Sequence, residues 1–62
     1  MNKKGEERET LRNLEVGGVA SFPLSKLRLI RVSCSEFGLQ YNRKYVTWTS
    51  RETGKIYAKR ES

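Results

Sequence analysis

The sequence predicts a single small α+β domain in which one helix packs on one face of a three-stranded, antiparallel-type sheet, in the order β-α-β-β. Three observations predict this fold. An apolar stripe at helical spacing follows Pro23, two runs of β-forming residues flank the turn sequence ETG, and a shorter β-compatible run precedes Pro23. With one helix available, a single sheet beneath that helix is the economical way to bury the apolar side chains.

The domain is expected to span residues 13–62, behind a flexible charged leader at residues 1–12. The leader, MNKKGEERETLR, mixes charges of both signs without an apolar period, so it would bury too little surface to offset the entropy of ordering. A chain of 62 residues is near the lower size at which one hydrophobic core is sufficient. One domain is therefore expected.

A short first strand is predicted within residues 14–22. The segment LEVGGVASF supplies β-compatible apolar residues, Gly17 and Gly18 mark a turn or bulge, and Pro23 ends the strand.

The helix is predicted from the apolar stripe after Pro23. Its members recur at spacings of three, three, four and three residues, which places them on one helical face: Leu24, Leu27, Ile30, Cys34 and Phe37. Gly38 stands where helices commonly turn left-handed, with Leu39 as the apolar contact of that cap, so the helix is expected to end within one residue of Phe37. The buried core is expected to contain Leu27, Ile30, Cys34, Phe37 and Ile56.

Residues 45–50 and 55–60, YVTWTS and KIYAKR, are predicted to form a β-hairpin that turns at residues 51–54. One residue of register decides which side chains share a face, because side chains alternate between the two faces of a strand. A three-residue loop with Gly54 in a left-handed bulge would place one apolar group inside: Val46, Trp48, Ile56 and Ala58.

The other register follows from a loop of two or four residues. It would bury Tyr45, Thr47 and Thr49 with Ile56 and Ala58. It would leave four side chains on the outside: Val46, Trp48, Tyr57 and Lys59. In this arrangement the aromatic rings could stack on bases while the lysine binds a phosphate. Turn chemistry alone leaves both registers open.

Charge is the most informative part of the composition. Basic residues outnumber acidic residues by 13 to 7, for a formal net charge of +6. From residue 16 to residue 60 the only acidic residues are Glu36 and Glu52, so the basic excess lies on the predicted domain and not on the leader. Such an excess is typical of proteins that bind a polyanion such as nucleic acid. The alternative is a basic surface that only keeps a small protein in solution.

Catalytic chemistry is not indicated. Enzymes need paired acid–base groups or an activated nucleophile, and this chain has no histidine and one cysteine. Cys34 lies on the apolar stripe, where a thiol acts as a small hydrophobe. The segments VGG and ETGK lack the spacing of a phosphate-binding loop. We therefore expect no enzymatic activity, no cofactor, no metal site and no internal disulfide.

The expected location is the cytoplasm, without membrane contact. The segment MNKKGEERET is charged from its third residue and has no apolar core of a signal peptide, and no stretch approaches the ~18 apolar residues of a membrane helix.

Residues 14–60 resemble small uncharacterised proteins encoded by bacteriophages and integrated mobile elements. The shared positions are Gly17, Phe22, Phe37-Gly38, Arg43-Lys44-Tyr45, Thr47 and Arg60. The resemblance implies a core role for the aromatic ring at Tyr45 and an outward position for Trp48, since the latter position is commonly basic in the family. This chain departs from the pattern there, so a buried Trp48 stays open. The resemblance brings no established activity and implies an accessory role with nucleic acid.

The leading hypothesis is a non-enzymatic nucleic-acid-binding protein, with DNA favoured over RNA, whose hairpin lies against phosphates and a groove. The candidate binding residues are Arg43, Lys44, Trp48, Arg51, Lys55, Tyr57, Lys59 and Arg60. Arg28 and Arg31 border the apolar stripe of the helix and either rim the core or face a duplex.

The alternative hypothesis is a small protein-binding adaptor or inhibitor of a phage or mobile element. Leu29 and Val32 lie off the apolar stripe and either widen the buried face or form a small exposed patch, which Trp48 could extend. An acidic protein surface is the partner that this hypothesis predicts. Neither hypothesis indicates an oligomeric state.

Overall fold

The computed structural model describes residues 6–62, and the fold over this range is a small α+β structure, as predicted. The elements follow in the order α1 (Glu6–Arg12), β1 (Val19–Pro23), a 3-10 turn (Leu24–Lys26), α2 (Leu27–Tyr41), β2 (Tyr45–Ser50) and β3 (Lys55–Arg60). The three strands form one antiparallel sheet in the spatial order β1-β3-β2. The first strand therefore pairs with the hairpin, as predicted, and β3 is the central strand.

Helix α1 was not predicted, and it corrects the assignment of residues 6–12 to a flexible leader; residues 1–5 lie outside the described residues. Leu11 is fully buried, and the hydroxyl of Tyr45 donates a hydrogen bond to its carbonyl at 3.1 Å. Nη1 of Arg43 donates to the carbonyl of Arg12 at 2.7 Å. A helix this short is unstable alone, so the docking of Leu11 and these two bonds hold it in place.

Strand β1 occupies the end of the predicted window of residues 14–22 and extends one residue beyond it, to Pro23. A turn precedes it, in which the N–H of Gly18 donates to the carbonyl of Glu15 at 2.7 Å and Gly17 adopts a positive φ of 87°. Phe22 lies opposite Ile56 of β3, and both are buried. Pro23 ends this edge strand, where its missing N–H costs no sheet hydrogen bond.

Helix α2 ends at Tyr41, so the predicted end near Phe37 is wrong. Asn42 takes the left-handed conformation that the sequence had suggested for Gly38, with a φ of 56°. The N–H groups of Asn42 and Arg43 both point to the carbonyl of Gly38, an arrangement typical of a helix C-terminus. Asparagine tolerates this conformation better than other residues with a side chain, which explains why the helix can run one turn further.

Gly38 has a different role from the predicted cap. A Cβ at this position would lie 3.2 Å from the carbonyl oxygen of Arg43, so glycine allows the chain to fold back closely after the helix. Leu39 is 87% exposed and does not make the apolar contact that a cap at Gly38 would require.

The hairpin has the predicted bounds and a four-residue turn. Trp48 lies opposite Tyr57, and Thr49 lies opposite Ile56, which is the register that turns Trp48 outward. Gly54 at the end of the turn has a φ of 66°, and its N–H donates to the carbonyl of Ser50 at 2.9 Å. Trp48 is 45% exposed, so the outward position implied by the family resemblance agrees with the structure at this residue.

The core lies between the two helices and the inner face of the sheet. Four of the five predicted core residues are buried, namely Ile30, Cys34, Phe37 and Ile56, and the fifth, Leu27, packs against them while partly buried. The ring of Tyr45 is also partly buried against this cluster, as the family resemblance implies. The remaining buried apolar residues are Leu11, Phe22 and Ala58.

Candidate functional site

The sheet face turned away from the helices carries aromatic and basic side chains. Alternation along β2 and β3 places one set of side chains on this face, which we call the outer sheet face: Val46, Trp48, Ser50, Lys55, Tyr57 and Lys59. Their alternates, Ile56 and Ala58, are buried beneath the helices. The outer sheet face is therefore a consequence of the hairpin register.

Trp48 and Tyr57 form a stacked pair at the centre of the outer sheet face. Their ring centroids are 5.6 Å apart and their planes differ by 12°. The hydroxyl of Tyr57 lies 3.0 Å from Oγ1 of Thr53, which fixes the tyrosine against the turn. Because each ring covers one face of the other, the pair presents its ring edges and the free face of the indole to a ligand.

Two lysines flank Tyr57 along the central strand. Lys55 and Lys59 lie two residues before and after it, so both project from the outer sheet face, about 13 Å apart along the strand. Within residues 6–62, no carboxylate lies within 4 Å of either ammonium group. Both positive charges are thus available to an anionic ligand.

Lys44 extends the positive surface at one end of β2 and is largely exposed. Its Nζ lies 3.9 Å from a carboxylate oxygen of Glu61, an exposed ion pair that contributes little to stability. Arg51 is exposed in the hairpin turn at the opposite end of the strand.

Arg43 and Arg60, two of the candidate binding residues, hold parts of the fold together. Arg43 donates to the Arg12 carbonyl, and its Nη1 also lies 2.9 Å from the hydroxyl of Tyr45. Arg60 belongs to the inner-facing set of β3, and its Nη1 donates to the carbonyl of Leu14 at 2.9 Å. These two guanidinium groups are therefore engaged with the segment that contains α1 and the turn after it.

The ion pairs of the helical layer lie away from the outer sheet face. They join Arg8 to Glu36 at 2.7 Å, Arg12 to Glu9 at 3.5 Å and Lys26 to Glu7 at 3.7 Å. Three of the seven acidic residues are thus paired around α1, while the lysines of β3 have no carboxylate partner among residues 6–62. The helical layer also exposes Arg28 and Arg31 to solvent.

A groove of about 470 Å³ runs between α1 and α2, and the sequence did not predict it. Its lining combines cationic and aromatic side chains with polar ones: Arg8, Glu9, Arg12, Phe37, Gln40 and Tyr41. The guanidinium of Arg8 lies 4.9 Å from the ring centroid of Phe37 and donates to Oγ of the buried Ser33. The groove exists only because α1 forms one of its walls. The sequence signal for α1 is the set of acidic residues in its first turn and the basic residue in its last turn, a charge distribution that stabilises a helix.

Cys34 is buried on the inner side of α2, and burial raises the pKa of its thiol to about 11. The thiol is therefore protonated near neutral pH, which makes it a poor nucleophile. Within residues 6–62, no three histidine, cysteine, aspartate or glutamate side chains come together in a way that could hold a metal ion.

The patch considered for a protein partner is small. Leu29 is partly buried and Val32 is about half exposed, on a helix far from Trp48 in the chain and on the opposite layer from the outer sheet face. The three side chains do not form one continuous apolar surface.

Residues 6–62 contain no helix with the length and apolar character needed to cross a membrane. Comparison of the chain with protein-family models, with curated proteins and with solved structures finds no match in any of the three.

Proposed function

We propose that the protein is a non-enzymatic nucleic-acid-binding accessory protein that binds duplex DNA through the outer sheet face. The observation that carries the proposal is the arrangement of β3, where Lys55 and Lys59 flank Tyr57 on one face without a nearby carboxylate among residues 6–62. Lysines spaced along a strand can neutralise successive phosphates and release their counterions.

DNA is favoured over RNA because of groove dimensions. The major groove of B-DNA is about 12 Å wide and admits a β-ribbon, whereas the major groove of an A-form RNA helix is too deep and narrow for side chains to read. A hairpin that carries Trp48 and Tyr57 side by side can rest on the groove wall while its lysines meet phosphates. The ring edges then pack on sugars, which gives affinity without a specific base sequence.

The proposed contact set is narrower than the one predicted from the sequence. Direct contacts come from Lys44, Trp48, Arg51, Lys55, Tyr57 and Lys59. Arg43 and Arg60 support this surface indirectly, because their guanidinium groups already bind backbone carbonyls of the segment around α1. We place the protein in the cytoplasm, where reducing conditions suit a chain with one cysteine.

A matched pair of double variants tests the proposal. Lys55→Ala/Lys59→Ala removes two positive charges from the outer sheet face, and Arg28→Ala/Arg31→Ala removes the same charge from exposed positions on α2. Binding of a fluorescently labelled duplex DNA is titrated between 50 and 200 mM salt. A plot of the logarithm of the binding constant against the logarithm of the salt concentration has a negative slope. The first variant should make this slope shallower by roughly two units, one per lost phosphate contact, and the second should change it much less.

Two results would oppose the proposal. Equal losses in the two variants would mean that net charge alone drives binding, without a dedicated surface. A wild-type affinity for duplex RNA equal to that for DNA of the same sequence would remove the preference for the B-form groove.

A further inference from the structure

The two edges of the sheet differ in how they are protected from pairing with another strand. The order β1-β3-β2 leaves β1 at one edge and β2 at the other. β1 is short, follows two glycines and ends in Pro23. β2 reads YVTWTS, without proline, glycine or charge, and exposed strands of that composition pair readily with other strands.

The backbone of β2 has hydrogen-bonding groups that β3 does not use. The N–H of Glu61 donates to the carbonyl of Lys44, while the N–H of Arg60 donates to the carbonyl of Gly18 on the β1 side. Bonded and non-bonded pairs alternate along an antiparallel ladder. The N–H and C=O groups of Tyr45, Thr47 and Thr49 therefore point away from β3, towards the open edge.

We infer that β2 pairs with β2 of a second copy of this chain, antiparallel and about a two-fold axis at Thr47, so that two sheets join into one. In this register Tyr45 faces Thr49 of the other copy and Thr47 faces Thr47. Each of these outward-pointing residues forms a bonded pair, for about six hydrogen bonds in all.

The side chains of β2 are complementary to themselves in this register. On the outer face, Val46 lies opposite Trp48 of the other copy, and aromatic–β-branched pairs stabilise antiparallel ladders. Trp48 has one ring face on Tyr57, so its other face is free to accept that valine. On the inner face, Thr47 meets Thr47, another favourable cross-strand pair.

Charge opposes a second copy less at this edge than on the basic outer sheet face. The chain carries a net charge of +6, so two copies repel wherever basic side chains meet. No residue of β2 is charged. In this register Arg43 of one copy comes opposite Arg51 of the other just beyond each end of β2, which weakens the pairing. A six-residue edge buries less area than a standard interface, so we expect a weak dimer whose formation depends on protein concentration.

Two matched proline variants test the dimer. Thr47→Pro removes an N–H that points to the open edge of β2, and Ser21→Pro removes an N–H that points to the open edge of β1, since Ser21 lies opposite Tyr57 in a non-bonded pair. Sedimentation equilibrium should give a wild-type mass that rises with concentration towards twice the monomer mass. Ser21→Pro should follow the wild type, and Thr47→Pro should stay monomeric while its circular dichroism remains that of a folded chain.

Amide hydrogen exchange of the wild type tests the same point without a variant. The amides of Tyr45, Thr47 and Thr49 should exchange more slowly as protein concentration rises, while the amide of Ser21 should exchange at a constant rate. A mass that stays monomeric to about millimolar concentration, together with fast exchange at Thr47, would overturn the inference. The open edge of β2 would then be a candidate binding site for a strand of a different protein. Association that Ser21→Pro abolishes and Thr47→Pro spares would also overturn it. Neither experiment uses nucleic acid, so the outcome is independent of the proposed function.

Discussion

Replacement of Leu11 by alanine should strongly destabilise the fold, because helix α1 is part of the core. The side chain of Leu11 is fully buried among residues of both α2 and the sheet. Leu→Ala substitutions at such positions cost about 2–5 kcal/mol, from lost burial and from the cavity that remains. A 62-residue chain has a total stability of roughly 3–9 kcal/mol, so this loss removes a large share of it.

Urea unfolding at 25 °C measures the effect, with far-ultraviolet circular dichroism and Trp48 fluorescence as two probes of one transition. Thr10→Ala is the matched control, because Thr10 is exposed on the same helix and its loss should change the free energy of unfolding by less than about 0.5 kcal/mol. If Leu11→Ala unfolds within about 0.5 kcal/mol of the wild type, α1 does not contribute to the core, and residues 6–12 behave as the flexible leader that the sequence suggested.

Three further substitutions or conditions probe separate parts of the structure. Trp48→Ala should lower stability by about 1 kcal/mol through loss of the stack on Tyr57, and Trp48→Phe should restore most of it; a loss near 4 kcal/mol would mean that the indole is buried. Tyr45→Phe should cost about 1 kcal/mol, measured by urea unfolding, because the carbonyl of Leu11 loses its hydroxyl donor; no change would show that the bond does not form. The free energy of unfolding should fall as pH rises from 9.0, the ordinary pKa of a cysteine thiol, to about 11, the pKa of Cys34 in the folded chain. In this range the folded chain keeps a proton on Cys34 that the unfolded chain has released, and Cys34→Ser should make the pH dependence weaker.

The elements that the sequence predicted correctly are those with strong local patterns. The hairpin bounds followed from two β-rich runs around a turn that contains glycine, and the inward face of α2 followed from the apolar spacing of Ile30, Cys34 and Phe37. The register of the hairpin could not be fixed in this way. Loop length decides it, and Ile56 and Ala58 face inward with either loop. The choice depends on which β2 side chains join them, and the ring of Tyr45 packs against the core while its hydroxyl donates to the carbonyl of Leu11.

The two errors have different physical causes, which are a tertiary contact for Leu11 and a close backbone approach at the end of α2 for Gly38. Leu11 is the buried side chain of the charged helix α1, and the core cluster in which it lies is formed mainly by residues of β1, α2 and β3. Gly38 has the sequence context of a cap, but the helix continues to a left-handed turn at Asn42, and the return of the chain at Arg43 favours a glycine inside the helix. Neither the docking of α1 nor this close approach changes the spacing of apolar residues from which the helix was predicted.

The candidate site was predicted in part. The outward position of Trp48, on the same face as Tyr57 and Lys59, follows from one of the two hairpin registers that the sequence leaves open. The engagement of Arg43 and Arg60 with backbone carbonyls could not be read from their charge, because it depends on where α1 and the following turn lie.

The proposal that the outer sheet face binds duplex DNA is tested most directly by chemical-shift mapping of the backbone amides during titration with a short duplex at two salt concentrations. Shifts should concentrate within residues 44–59, be largest around Trp48 and Tyr57, and weaken strongly at the higher salt concentration. Shifts centred on Arg28 and Arg31 of α2, or no shifts at the lower salt concentration, would contradict the claim.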